Sequence, residues 1–128
     1  MEEHQINDLS KKIIGAAIEV HRNLGPGLLE NTYQVALLHE LQLNGINALM
    51  EVEVPFIYKG MKLPTAYRAD IIVEDEIILE LKATETDNPI YAKQLYTYLR
   101  LYNKRLGLII NFNRERLVDG LKRVVNNL

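Results

Sequence analysis

The chain contains no cysteine, so structural zinc on thiolates, disulfides and thiol catalysis are all excluded. Nowhere does an apolar run approach the ~20 residues that cross a bilayer, which predicts no membrane segment. The first residues, Met1-Glu2-Glu3-His4, are acidic where a secretory signal would be basic and then apolar, and the cytoplasm is the expected compartment. No internal repeat, linker or low-complexity stretch breaks the 128 residues, so a single domain over 1–128 is expected. What is present is an ordinary globular composition: 48% hydrophobic, with a formal net charge of -2.

That small net charge conceals an asymmetry. Residues 1–88 carry 7 Lys/Arg against 15 Asp/Glu, and residues 89–128 carry 8 against 2. A basic end beside an acidic cluster suits a phosphate-backbone binder with a metal site; a merely dipolar surface would look the same on charge alone.

The most informative stretch is Tyr67-Arg68-Ala69-Asp70-Ile71-Ile72-Val73, then Glu74-Asp75-Glu76, then Ile77-Ile78-Leu79-Glu80-Leu81-Lys82. Two β-branched and leucine-rich runs around a short polar turn predict a hairpin. Side chains alternate along a strand, so Glu80 and Lys82 share one face and Leu79 and Leu81 the other. A turn centred near Asp75 sets Asp70 opposite Glu80. Facing carboxylates destabilise a ladder by ~0.2–1 kcal/mol, and a divalent cation with a nearby lysine would compensate. Oxygen ligands of this kind suit Mg²⁺ or Mn²⁺, and Lys82 would reach the same small volume to orient water or neutralise developing charge. The competing reading of Asp-x9-Glu-x-Lys is structural: an edge hairpin with salt-bridged polar ends.

Hydrophobic periodicity predicts the remaining elements. Ile6, Leu9, Ile13, Ala16, Ala17 and Val20 give an amphipathic helix over about 6–23, stopped by Gly25-Pro26-Gly27. A second helix spans about 28–43, with Glu30 at the first turn of a stripe continued by Tyr33, Leu37 and Leu41. Glu30 either favours the helix dipole or points inward to Asp70 and Glu80. Residues 49–58 read as a strand carrying Val52, Val54, Phe56 and Tyr58 on one face, with Pro55 marking an edge or irregular position. A helix over 89–103 begins at Asn88-Pro89 and aligns Tyr91, Gln94, Leu95, Tyr98 and Tyr102. Arg105 to Phe112 is a buried, parallel-type strand ending near Asn111, and a last helix over 115–127 turns Leu117, Leu121, Val124 and Val125 inward. His4, His21 and His39 have no second histidine at ligand spacing and are expected on the surface or in packing. The order α-α-β-β-β-α-β-α predicts an α+β or α/β sandwich with a small mixed sheet between helices.

A helix-borne Glu, three antiparallel strands with Asp on the second and Glu-x-Lys on the third, then a helix bearing Gln and a further strand, resembles the PD-(D/E)XK nuclease superfamily. Gly27-Leu28-Leu29-Glu30-Asn31-Thr32-Tyr33 resembles the namesake motif of one branch, the GxxExxY family. The likeness continues through Tyr67-Arg68-Ala69-Asp70, Glu80-Leu81-Lys82, Gln94-Leu95-Tyr96-Thr97-Tyr98-Leu99 and Gly107-Leu108-Ile109-Ile110-Asn111-Phe112. It covers about residues 6–125. The superfamily's Pro-Asp stands here as Ala69-Asp70.

The resemblance implies a restriction-endonuclease-like core, with Mg²⁺ or Mn²⁺ held by Asp70, Glu80, the Leu81 carbonyl and Glu30. By the same likeness Lys82 is the catalytic lysine, and Gln94, with Tyr98 behind it, belongs to the helix motif near the site. The expected activity is hydrolysis of phosphodiester bonds in nucleic acid, DNA ahead of RNA. Lys93, Arg100, Arg114, Lys122 and Arg123 would hold the backbone, and any sequence reading would need a partner or a homodimer. Two other classes remain open at this point: a catalytically silent nucleic-acid or protein-binding module on the same scaffold, and a homo-oligomeric interaction protein using the tyrosine-rich third helix.

Overall fold

The structure, a computed structural model, describes Met1–Leu128. Helix α1 (Glu3–Leu24) is opened by a capping box in which Glu2 and Gln5 satisfy each other's end groups. It buries the stripe Ile6, Leu9, Ile13, Ala16, Ala17 and Val20. Helix α2 (Glu30–Leu43) follows, and then strand β1 (Ala48–Glu53), the short strands β2 (Ile57–Tyr58) and β3 (Met61–Lys62), β4 (Arg68–Val73) and β5 (Ile77–Lys82). Helix α3 (Pro89–Tyr102) starts where Asn88 caps the Ile90 amide with Pro89 behind it. Strand β6 (Leu106–Asn111), a 3₁₀ turn over Leu117–Gly120 and strand β7 (Leu121–Val125) complete the chain.

Five strands form one mixed sheet in the order β1-β4-β5-β6-β7. Pairing is antiparallel except for β5 with β6, which run parallel because α3 carries the chain back across the sheet. Helices α1 and α2 cover one face over the larger core, with Ile71, Val73, Leu79, Leu81, Leu108 and Ile110. Helix α3 covers the other through Leu95, Tyr98 and Leu99 on Ile72, Ile78 and Ile109. This is an α+β fold with the restriction-endonuclease-like core that the motif order implies.

Two expectations fail. The run 49–58 is not one strand: β1 stops at Glu53, and Ile57–Tyr58 open a separate two-stranded sheet with Met61–Lys62. Pro55, without an amide hydrogen, lies in the break. The segment 115–127 is not a helix, and Lys122 and Arg123 therefore do not share an outer helical face. Strand β6 is buried along its whole length and needs a partner on its open edge, which Leu121–Val125 provides. Helical spacing of Leu117, Leu121 and Val124 yields to that requirement. Gly120 makes the return possible, since a Cβ there would run into the Asn111 carbonyl oxygen.

Candidate active site

Backbone pairing of β4 with β5 runs from Val73 opposite Ile77 to Ile71 opposite Leu79. At the next level, Asp70 and Glu80, carboxylates replace carbonyls as acceptors. The Leu81 amide donates to Asp70 Oδ2 at 2.8 Å, and the Asp70 amide donates to Glu80 Oε1 at 3.2 Å. The ladder thus opens at the two facing acids, and each spends one oxygen on a main-chain amide. The second oxygen of each has no main-chain partner.

Glu80 is buried in the sheet's centre. Burial, then the Asp70 charge, pushes its carboxyl up to about 8. Asp70 is raised as well, by burial, while the Leu81 amide and Lys82 pull the other way. Two desolvated acids of raised proton affinity form a site short of positive charge.

Helix α2 brings a third acid. Tyr33, fully buried and stacked on Phe112 at 4.4 Å between centroids, donates from its hydroxyl to the Gly25 carbonyl at 2.6 Å and accepts from the Leu28 amide at 3.1 Å. That clamps the 25–28 loop, where Gly27 takes φ +93°, and fixes where α2 begins. Glu30 is its first residue. Burial raises the Glu30 carboxyl although part of the side chain meets solvent, Lys82 lowers it, and Asp70 and Glu51 raise it again. Glu30 is exposed at the start of the helix, within electrostatic reach of Asp70, Glu51 and Lys82.

The opposite wall belongs to α3. The Lys82 ammonium lies 4.4 Å from the Tyr91 ring centroid, a cation–π contact. Burial first, then the nearby Glu80 carboxyl, raises the proton affinity of the Tyr98 hydroxyl. Gln94, one turn before Tyr98, is half-buried on the same helix. Beyond Lys82 the chain is fastened by buried Asn111: its amide donates to the Thr84 carbonyl (3.0 Å) and Asp87 Oδ1 (3.1 Å), and its oxygen accepts from the Thr84 amide (3.2 Å).

The basic residues separate. Lys93 and Arg100 are exposed on α3, with Arg100 over the Tyr96 ring at 5.7 Å. Lys122 lies in the cross-strand row of Glu80, through Ile109. Arg123, next along β7, reaches Asn7 of α1 at 2.8 Å. Arg114 is engaged internally, bonding the Thr84 and Asn113 carbonyls at 2.9 and 2.7 Å and pairing with Asp87 at 2.9 Å. Its guanidinium pins the loop after Lys82 instead of standing free for a backbone phosphate.

Three neighbours of the acids escaped the sequence reading. Gln34, one turn after Glu30, bonds Glu51 and the Asp70 carbonyl. Its i+4 spacing from Glu30 was the available signal. Glu51 needed the β1 register, and Tyr91 needed the path of α3 over β5.

A hard cation that binds through one or two carboxylates with waters fits Asp70 and Glu80, because each retains an oxygen with no main-chain hydrogen bond and the two face each other across the open ladder. No group of three or more His, Asp or Glu side chains is already drawn together as a metal cage. A surface concavity of about 940 Å³, lined by Asp8, Lys12, Glu40 and Glu74 among others, does not include these acids. No helix is long and apolar enough to cross a membrane.

No curated protein and no solved structure matches the chain. A family model described as the PD-(D/E)XK nuclease superfamily matches residues 7–124, nearly the whole length. With the Asp70, Glu80 and Lys82 constellation set where its sheet opens, the chain belongs to the PD-(D/E)XK nuclease superfamily.

Proposed function

We propose that this protein is a metal-dependent nuclease that hydrolyses phosphodiester bonds, acting on DNA in preference to RNA. The observation that carries the reading is the pair Asp70, half-buried, and Glu80, buried, facing each other where the β4/β5 ladder opens, with Lys82 on the same face as Glu80. Asp70 and Glu80, with the Leu81 carbonyl and Glu30, would hold Mg²⁺ or Mn²⁺. Such an ion supplies Lewis acidity and a bound water of lowered pKa. Lys82, its ammonium confined by Tyr91, orients the attacking water or offsets charge on the phosphorane. Gln94 and Tyr98 complete the wall on α3.

Lys122 sits in the row of Glu80 two strands away, roughly 10 Å at ordinary strand spacing. With Lys93 and Arg100 it is suited to hold the backbone on the α3 side without reading bases. The Tyr33 clamp on the loop before Glu30 gives the Gly-x-x-Glu-x-x-Tyr spacing a physical purpose, and it supports placing the chain in the GxxExxY branch. The alternative of a silent module needs Asp70, Glu80 and Lys82 as a structural ion-pair network. None of the five ion pairs in the structure includes any of them.

The test is cleavage of labelled single- and double-stranded DNA and RNA with Mg²⁺ or Mn²⁺. The reading expects metal-dependent cleavage of DNA first, with Lys82→Ala lowering the rate by about 10²-fold or more. A folded wild type that cleaves none of the four substrates with either metal overturns it.

A further inference from the structure

Glutamine was expected to enter the site from α3, as Gln94. The hydrogen bonds lead to a different one. Gln34, on the inner side of α2, is only 5% exposed. Its Nε2 donates to Glu51 Oε1 at 2.7 Å and to the Asp70 carbonyl at 3.1 Å. Both partners can only accept, so the orientation of the amide is dictated by them. One side chain thereby ties three elements together: α2 that carries Glu30, β1 that carries Glu51 and β4 that carries Asp70.

Glu51 is unusual in its own right. It takes φ +58° inside strand β1, while its neighbours keep register with β4, Met50 opposite Ile71 and Val52 opposite Ala69. A left-handed residue without a glycine's freedom is strained and persists only where surroundings enforce it. The consequence is visible on either side. Ala48 packs with the core under α1 and α2, whereas Val52, four residues on, packs with the core under α3. Regular alternation would leave both on one face. Ala69, opposite Val52, likewise packs under α3 although Ile71 packs under α1 and α2, so the β1/β4 ladder changes face at the level of Glu51 and Asp70, where the Glu51 carboxylate meets Gln34. Arg68 secures the turned residue by donating to the Glu51 carbonyl at 3.2 Å.

We propose that Gln34 and Glu51 act as one positioning pair that fixes the backbone at Asp70, so that its carboxylate is held ready for the divalent cation. The pair does not touch substrate. It acts through Asp70, whose carbonyl Gln34 holds from one side while its carboxylate is held by the Leu81 amide on the other. Partners that orient a ligating carboxylate typically change metal affinity by about 10–100-fold when removed. The inference rests on the proposed cation site at Asp70 and Glu80.

The probe is Mn²⁺, titrated by calorimetry into wild type, Gln34→Leu, Glu51→Ala and the double variant, each first shown to be folded by thermal melting without metal. Each single variant is expected to bind Mn²⁺ about tenfold or more weakly. The double variant should be no weaker than either single one, because both remove the same restraint. A purely structural role would lower melting temperature and leave the Mn²⁺ affinity of the folded protein unchanged. Glu51 is on the exposed edge strand, so Glu51→Ala remains informative if Gln34→Leu does not fold. Wild-type affinity in folded Glu51→Ala overturns the positioning pair alone. Absence of Mn²⁺ binding in wild type overturns the cation site as well.

Discussion

Glu80 sets the pH behaviour of the metal-free protein. Its carboxyl titrates near 8 in the fold against an ordinary value of 4.5, because burial and Asp70 both oppose its charge. The fold thus binds this proton more tightly than the unfolded chain does. Its contribution to stability is complete below pH 4.5 and is lost as pH rises to about 8. Glu80→Gln, which keeps an oxygen for the Asp70 amide, should remove that loss and make the metal-free protein more stable at pH 8. Urea unfolding of both proteins at pH 5 and pH 8 checks it; parallel pH dependence would contradict it. Lys82→Ala, in contrast, should leave Mn²⁺ binding intact, since an ammonium has no lone pair to give a cation. The Asp70, Glu80 and Lys82 constellation was legible in the sequence because alternation and a symmetric turn determine which strand residues face each other. Gln34 and Glu51 were not, because their role depends on the β1 register and on a backbone reversal that no periodicity announces.

At the scale of elements, α1, α2, the central hairpin, α3 and the buried β6 could be read from hydrophobic period and from Pro and Gly signals. Strand β7 could not. Leu117, Leu121, Val124 and Val125 satisfy a helical stripe, and only the unpaired edge of β6 converts the segment into a strand. The junction depends on Gly120 against the Asn111 carbonyl. Gly120→Ala has no flexible side-chain end to push aside, only backbone, and should destabilise by about 2 kcal/mol or more in denaturant unfolding. Because Asn111 also fastens Thr84 and Asp87 behind Lys82, cleavage should fall along with stability. A Gly120→Ala protein as stable as wild type would show that the chain returns by another route.

Across the whole molecule, the basic C-terminal part divides into groups with different duties. Lys93, Arg100 and Lys122 are exposed, and replacing each with alanine should weaken binding to any nucleic acid while lowering the salt slope by about 1. Arg114→Ala should instead cost stability, because its guanidinium holds Thr84, Asn113 and Asp87. Fluorescence anisotropy at several salt concentrations, beside thermal melts, separates the two; a binding loss for Arg114→Ala at unchanged stability would contradict the division. Charge asymmetry along the sequence could reveal the basic half but not this partition, which follows from which side chains fold back on the loop after Lys82. The proposed nuclease activity rests on a cation site between buried Glu80 and half-buried Asp70. Calorimetric titration of Mn²⁺ at pH 7, in two buffers of different ionisation enthalpy, measures it most directly. Binding should occur with release of about one proton, since Glu80 must give up the proton that its burial retains, and Asp70→Asn should abolish the binding. A folded wild type that binds no Mn²⁺, or binds it equally after Asp70→Asn, would contradict the account.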